Sequence, residues 1–142
     1  RVMVVPGIDG QKMSKSYNNY IDIFLPEKEL KKVMMNIVTD ATPLEAPKNP
    51  DTCNVFKLYT LLGNESQVKD MKGNYLKGGY GYGHAKTALF ELIMDKFKTE
   101  RGEYNRYMGD KNELDKKLLH GAEKAKKVAH VVLKRVREKL GY

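Results

Sequence analysis

Cysteine is almost missing from this chain: Cys53 stands alone, so an internal disulfide and a cysteine-built metal site are both excluded. It lies among helix-forming apolar residues and is expected to be a small buried hydrophobe. Histidine is scarce as well, and His84, His120 and His130 are scattered without the spacing of metal ligands. No acidic pair has a spacing that proposes acid–base chemistry. No apolar run approaches the roughly 20 residues of a membrane-spanning helix, and no signal peptide is visible. No internal repeat or low-complexity tract interrupts the sequence. These absences point to a protein of the reducing cytoplasm with no membrane partner and no bound metal of its own.

What is present fits a helical protein that meets an anion. The 142 residues suffice for one domain with a real core, with 41% apolar and 31% charged residues and abundant helix formers. The formal net charge of +8 places nucleic acid first among partners. The excess is one-sided near the end: from Lys124 to Lys139 seven cations face one acid, Glu138. Lys116 and Lys117 extend that run. A charge run is usually a solvated face, and the asymmetry is what singles this one out.

Arg1 to Pro6 reads as a short buried strand ended by proline. A lone strand needs a sheet, and nothing downstream offers convincing partners. The chain is therefore expected to be the C-terminal part of a longer protein. Pro26 fits the first position of a helix whose stripe is Leu30, Val33, Met34 and Ile37. Leu25 precedes it where a capping residue would be usual. Asn49-Pro50-Asp51 predicts the start of a second helix, which buries Val55, Phe56, Tyr59 and Leu62 and stops at Gly63. Asn64 with Gln67 predicts a capping pair for a third, holding Val68, Met71 and Tyr75 and ended by Gly78-Gly79. A long helix from about Gly83 carries Ala85, Ala88, Leu89, Leu92, Ile93 and Phe97. Tyr104, Tyr107 and Met108 continue that face past an expected bend at Gly102. After Gly109-Asp110, the stripe Leu114, Leu118, Ala122, Ala125, Ala129, Val132, Val136 and Leu140 predicts a last helix with one seam for packing on the others.

The densest chemistry is at the start. Gly7-Ile8-Asp9-Gly10-Gln11-Lys12-Met13-Ser14-Lys15-Ser16 puts two ammonium groups and two hydroxyls between flexible glycines, a composition that can wrap a polyphosphate. Gly78 to His84 also opens a helix, but it lacks the lysine and hydroxyl placement of a phosphate loop and reads as a structural turn. His84 and Lys86 at that helix start remain candidates for a nucleic-acid phosphate.

Lys12 to Ser16 matches the second signature of class I aminoacyl-tRNA synthetases. Its surroundings, Gly7-Ile8-Asp9-Gly10 before and Tyr17-Asn18-Asn19-Tyr20-Ile21 after, resemble the tryptophan and tyrosine branch. Val38 to Pro43, Pro50 to Phe56, Gly81 to Lys86 and Gly121 to Ala125 resemble the bacterial-type tryptophanyl-tRNA synthetases. The resemblance spans essentially the whole chain.

The resemblance implies a mainly α fold: a C-terminal helical bundle of the anticodon-binding type, preceded by one strand and the signature loop of a Rossmann-like α/β catalytic domain. Residues 1–24 would form the edge of the catalytic domain, and residues 25–142 the tRNA-binding domain. It implies activation of L-tryptophan by ATP, carried with Mg2+, then transfer to tRNA(Trp), in an enzyme that is a homodimer. Lys12 and Lys15 would be catalytic, and Lys12, Met13, Ser14, Lys15 and Ser16 would bind ATP, with Met13 along the adenine. The glycines suggest a mobile loop that closes on ATP. Lys86, Lys124, Lys127, Lys134 and Arg135 would meet tRNA, and Tyr104, Tyr107 and Tyr142 are candidates for stacking on bases, although a core position is the stronger reading of the first two. The other class I signature, His-x-Gly-His, is absent, so these residues alone are expected not to form the adenylate. The alternatives are a tyrosyl-tRNA synthetase segment, a non-catalytic helical RNA-binding module and a purely structural interaction domain.

Overall fold

The computed structural model describes residues 4–141. Three residues of the expected strand, 1–3, and Tyr142 lie outside them. Val4 and Val5 are exposed rather than buried, and Pro6 makes a single antiparallel bridge to Lys12. No strand forms among the described residues. An extended segment needs a neighbour along its length to satisfy its backbone groups, and one rung is not a ladder.

Six α-helices occur among the described residues: α1 (Glu27–Met35), α2 (Asn54–Leu62), α3 (Glu65–Lys77), α4 (Tyr82–Lys96), α5 (Lys98–Gly109) and α6 (Lys111–Leu140). They fall into two compact units, Arg1–Arg101 and Gly102–Tyr142.

In the first unit α4 packs against both α1 and α2, and α3 against α2. The α1 stripe is as expected, with Leu30, Met34 and Ile37 fully buried and Val33 half-buried. Pro26 lies just before the helix rather than at its first position, and its carbonyl accepts from the N–H groups of Glu29 and Leu30 at 2.9 Å. No side chain caps this start. The second helix begins later than its signal. Asn49 uses its side chain to accept from the Asp51 N–H at 2.9 Å, closing a local turn, and α2 starts only at Asn54. Val55, Phe56, Leu58 and Tyr59 then face inward.

The Asn64–Gln67 pair forms a full capping box, both bonds at 2.9 Å. Tyr75 from α3 is fully buried, with its hydroxyl 3.4 Å from the Sγ of Cys53, which is the buried hydrophobe expected. Burial drives the Tyr75 phenol far above its ordinary range. Gly78, at φ +74°, ends α3 where only glycine fits: an added Cβ would lie 2.3 Å from the Glu45 carbonyl oxygen.

The expected long helix breaks at Phe97, not at Gly102. Phe97 takes φ −105° and ψ 19°, which separates α4 from α5. Little hydrogen bonding is lost, because the Phe97 N–H donates to Ile93 and the Arg101 N–H to Phe97. Arg101 then donates its guanidinium to the carbonyls of Ile23 and Leu25.

In the second unit, Asp110 caps α6 by accepting from the Glu113 N–H at 3.1 Å, and Gly141 closes it at φ +79°. The seam of α6 is not the packing surface its periodicity predicts. Leu118 is 62%, Val132 45%, Val136 44% and Leu140 67% exposed. Thirty residues of helix run about 45 Å. Tyr104 and Tyr107 are not core residues either. Tyr104 is exposed, and the half-buried Tyr107 ring is flanked by Arg106 and Lys117 at 4.3 and 4.8 Å.

Candidate functional site

The loop of residues 7–19 is held at its base and open at its crown. Ile8 and Met13 pack against the buried core, so two apolar side chains pin the loop to the helices. The Met13 N–H donates to Val5, the Gly7 N–H to Gln11 and the Ile8 N–H to Asn19. The Val38 N–H, just past α1, donates to the Ile8 carbonyl at 2.8 Å. Asn54, first residue of α2, donates to the Val38 carbonyl at 3.1 Å and fills the space beside Gly10. Loop and helical body are thus one hydrogen-bonded piece.

At the crown, Ser14 caps a single 3-10 turn, Lys15–Tyr17, by accepting from the Ser16 N–H at 3.3 Å. Asn18 closes the turn in the left-handed conformation at φ +52°. This turn aims Lys15 and Ser16 outward. Lys12, Lys15 and Ser16 are exposed, Ser14 and Met13 half-buried. Neither lysine has an ion-pair partner among the described residues, so both charges are free to meet an anion.

The two glycines serve close packing and a turn. Gly7 is buried, and a Cβ there would lie 2.5 Å from the Asn19 carbonyl oxygen; Gly10 sits at φ +81°.

The structure brings together only some of the predicted tRNA-contact residues. Lys124, Lys127, Lys134 and Arg135 are all exposed on α6. At 3.6 residues per turn they share one face within about 100°, opposite the apolar stripe. Only Lys134 is paired, weakly, with Glu138 at 3.9 Å. Lys86 belongs to the other unit and is engaged: it donates to the Met35 carbonyl at 2.9 Å, at the C-terminal end of α1. Burial lowers its pKa. Sequence reasoning does not single out Asn19, Asn54 or Lys48 for any role. Several of their partners lie far along the chain, Val38 for Asn54 and Tyr75 for Lys48, and no local pattern announces such contacts.

An exposed lysine–serine crown on a braced loop, and a basic helix face in the other unit, are both suited to meeting anions. The family model for class I tRNA synthetases of the W and Y group matches residues 2–137, and the chain belongs to that family. Its relatives place it further within the group. It is 48% identical over 140 residues to the tryptophan–tRNA ligase of Campylobacter jejuni, covering 99% of this chain and 44% of that protein. It is 44% identical over 138 residues to the tryptophan–tRNA ligase of Fusobacterium nucleatum, covering 97% and 42%. The crystal structure of the C. jejuni tryptophanyl-tRNA synthetase, complexed with ADP and tryptophan, superposes with a TM-score of 0.94 at 47% identity. That match takes in all of this chain and 44% of that one. The chain thus spans less than half the length of these relatives.

Proposed function

We propose that this chain is the loop-bearing, tRNA-binding portion of a tryptophan–tRNA ligase. The observation that carries the reading is the exposed Lys12–Ser16 crown on a braced loop, in a chain that relatives of that activity match along its length. The reaction begins when the carboxylate oxygen of L-tryptophan attacks the α-phosphorus of ATP. The bond to the bridging oxygen breaks, and pyrophosphate leaves with the electron pair; Mg2+ carried with ATP would help to screen its charge. Lys12 and Lys15 stabilise the charge that builds on that leaving group, more in the transition state than before it. Ser14 and Ser16 donate to phosphate oxygens, and Met13 lies along the adenine. A ribose hydroxyl at the 3′ end of tRNA(Trp) then attacks the tryptophanyl carbonyl of the adenylate, the ester bond forms, and AMP leaves with the electron pair of the broken anhydride bond.

In this reading residues 1–24 act with the catalytic domain, and residues 25–142 supply the tRNA-binding helices. Lys124, Lys127, Lys134 and Arg135 neutralise tRNA phosphates, with Lys86 as a further contact. The enzyme works as a homodimer in the cytoplasm; among the described residues no helix is long and apolar enough to cross a membrane. The tyrosine enzyme shares the signature, but the relatives named above act on tryptophan.

The test is ATP–pyrophosphate exchange by the longer polypeptide that carries this segment, run with each amino acid in turn, beside Lys15→Ala. Exchange with tryptophan alone is expected, and Lys15→Ala should slow it roughly a hundredfold, about 3 kcal/mol in activation. Exchange with tyrosine alone, or none from a folded protein, overturns the reading.

A further inference from the structure

We infer that Asn19 is a positioning residue for the lysines of the loop, acting through its side-chain amide. The inference rests on the function proposed above and adds a residue to which no role has been given. Asn19 is 2% exposed, although it lies in a short loop whose neighbours Asn18 and Tyr20 are exposed. Its side chain uses both ends. The amide oxygen accepts from the Ser14 N–H at 2.8 Å. The amide nitrogen donates to Asp9 Oδ1 at 2.8 Å and to the Lys12 carbonyl at 3.1 Å. Its backbone carbonyl accepts from the Ile8 N–H at 2.9 Å.

These partners bracket Lys12 and directly precede Lys15. The Lys12 carbonyl and the Ser14 N–H flank Met13, so one side chain clamps the peptide on which both ammonium groups ride. Asp9 completes the frame, since the same Oδ1 accepts from the Gln11 N–H at 3.0 Å. Gly7 makes room for the clamp: its missing Cβ would lie 2.6 Å from the Asn19 side chain. Asn19 itself is buried, and its side-chain partners are the loop's own Asp9, Lys12 and Ser14. Its effect is on where the lysines stand, and small displacements of charge around a leaving group are felt mainly in the transition state.

The experiment uses the longer polypeptide and pyrophosphate exchange, with kcat and KM for tryptophan and ATP read separately and melting temperature followed alongside. Asn19→Ala is expected to lower kcat about a hundredfold, with KM for tryptophan unchanged and the melting temperature lowered by only a few degrees, as the loss of buried hydrogen bonds requires. Asn19→Asp keeps the volume but sets a carboxylate against Asp9, and should lose at least as much. Asp9→Asn alone retains an acceptor for both bonds and should be mild. Combining Asp9→Asn with Asn19→Asp restores an amide–carboxylate pair in reversed order and should recover about tenfold over Asn19→Asp alone. If the unsubstituted protein exchanges with tryptophan and Asn19→Ala exchanges equally well, this inference falls and the functional reading stands. It also falls if the kcat loss is matched by lost tryptophan binding and a far larger fall in melting temperature, or if the reversed pair recovers nothing. If the unsubstituted protein does not exchange at all, the functional reading falls and takes this inference with it.

Discussion

The Lys48 ammonium lies 5.3 Å from the ring centroid of Tyr82, inside a cage that contains no carboxylate within ion-pair distance among the described residues. Lys48 is 3% exposed. Its Nζ donates to the carbonyls of Pro43, Leu44 and Ala46 at 3.1, 3.2 and 3.2 Å, three donors for three acceptors. Its backbone N–H donates to the Tyr75 carbonyl at 2.8 Å. A buried charge survives here because every proton has a partner and an aromatic face lies beside it. The proline-rich connector between α1 and α2 is thereby wrapped around one lysine.

Replacing that lysine tests the cage. Lys48→Met keeps most of the stem and removes all three donors, leaving carbonyls short of partners. Unfolding in urea should show a loss of about 2–3 kcal/mol. A change within about 0.5 kcal/mol, the range of ordinary surface substitutions, would show that the connector holds without it.

The Tyr82 hydroxyl donates to Asp40 Oδ1 at 2.7 Å, and the pair predicts opposite responses to pH. Burial first, then the bond to Asp40, push the Tyr82 phenol from 10.0 up to about 12. Its stabilising contribution is complete below pH 10.0 and is lost as pH rises through about 12. Asp40 is held below its ordinary 3.8, first by the Thr42 side chain and then by Tyr82. Its contribution is present above pH 3.8 and is lost as pH falls through the lowered value. In Tyr82→Phe the Asp40 carboxyl should titrate closer to its ordinary value. Carbon-detected NMR of the carboxyl checks this, and an unchanged midpoint would refute the coupling.

The basic face of α6 predicts a salt signature for the proposed tRNA binding. Each phosphate neutralised adds about 0.7 to 0.9 to the slope of log affinity against log salt. Lys124→Gln with Lys127→Gln should therefore reduce that slope by about 1.4 to 1.8 while leaving the helix intact, since both side chains are solvated. Filter binding across a salt series measures it. A slope unchanged by the pair would place the phosphate contacts elsewhere.

Local patterns in the sequence were readable where short-range chemistry decides. Asn64 and Gln67 cap α3 as their spacing implies, Leu30, Met34 and Ile37 are the buried stripe, and Gly78 and Gly79 adopt positive φ after α3. Reading fails where distant partners decide. Asn49-Pro50-Asp51 carries every helix-start residue, yet its asparagine closes a turn and α2 begins at Asn54. The break falls at Phe97, which has nothing in its sequence to mark it, while Gly102 stays helical. The α6 stripe has perfect period and still faces solvent, because periodicity shows which side is apolar and not what covers it. In the candidate site, Lys12 and Lys15 are legible as exposed cations. The frame beneath them depends on Asn19, Asp9, Val38 and Asn54, which composition does not rank above other polar or apolar loop residues.

The braced base and open crown of the loop would differ in their isotope-exchange clocks. The amide protons of Ile8, Met13 and Ser14 are bound at 2.9, 2.8 and 2.8 Å, each within the base. Those of Ser16 and Tyr17 rest on longer contacts of 3.3 Å in the 3-10 turn. In deuterium oxide the crown should label quickly and the base slowly, although barely two residues separate them. Any event that merely tilts the crown would leave the slow set untouched. Any event that lifts the whole loop must first release Ile8, Met13 and Ser14, and would be recorded as their simultaneous labelling.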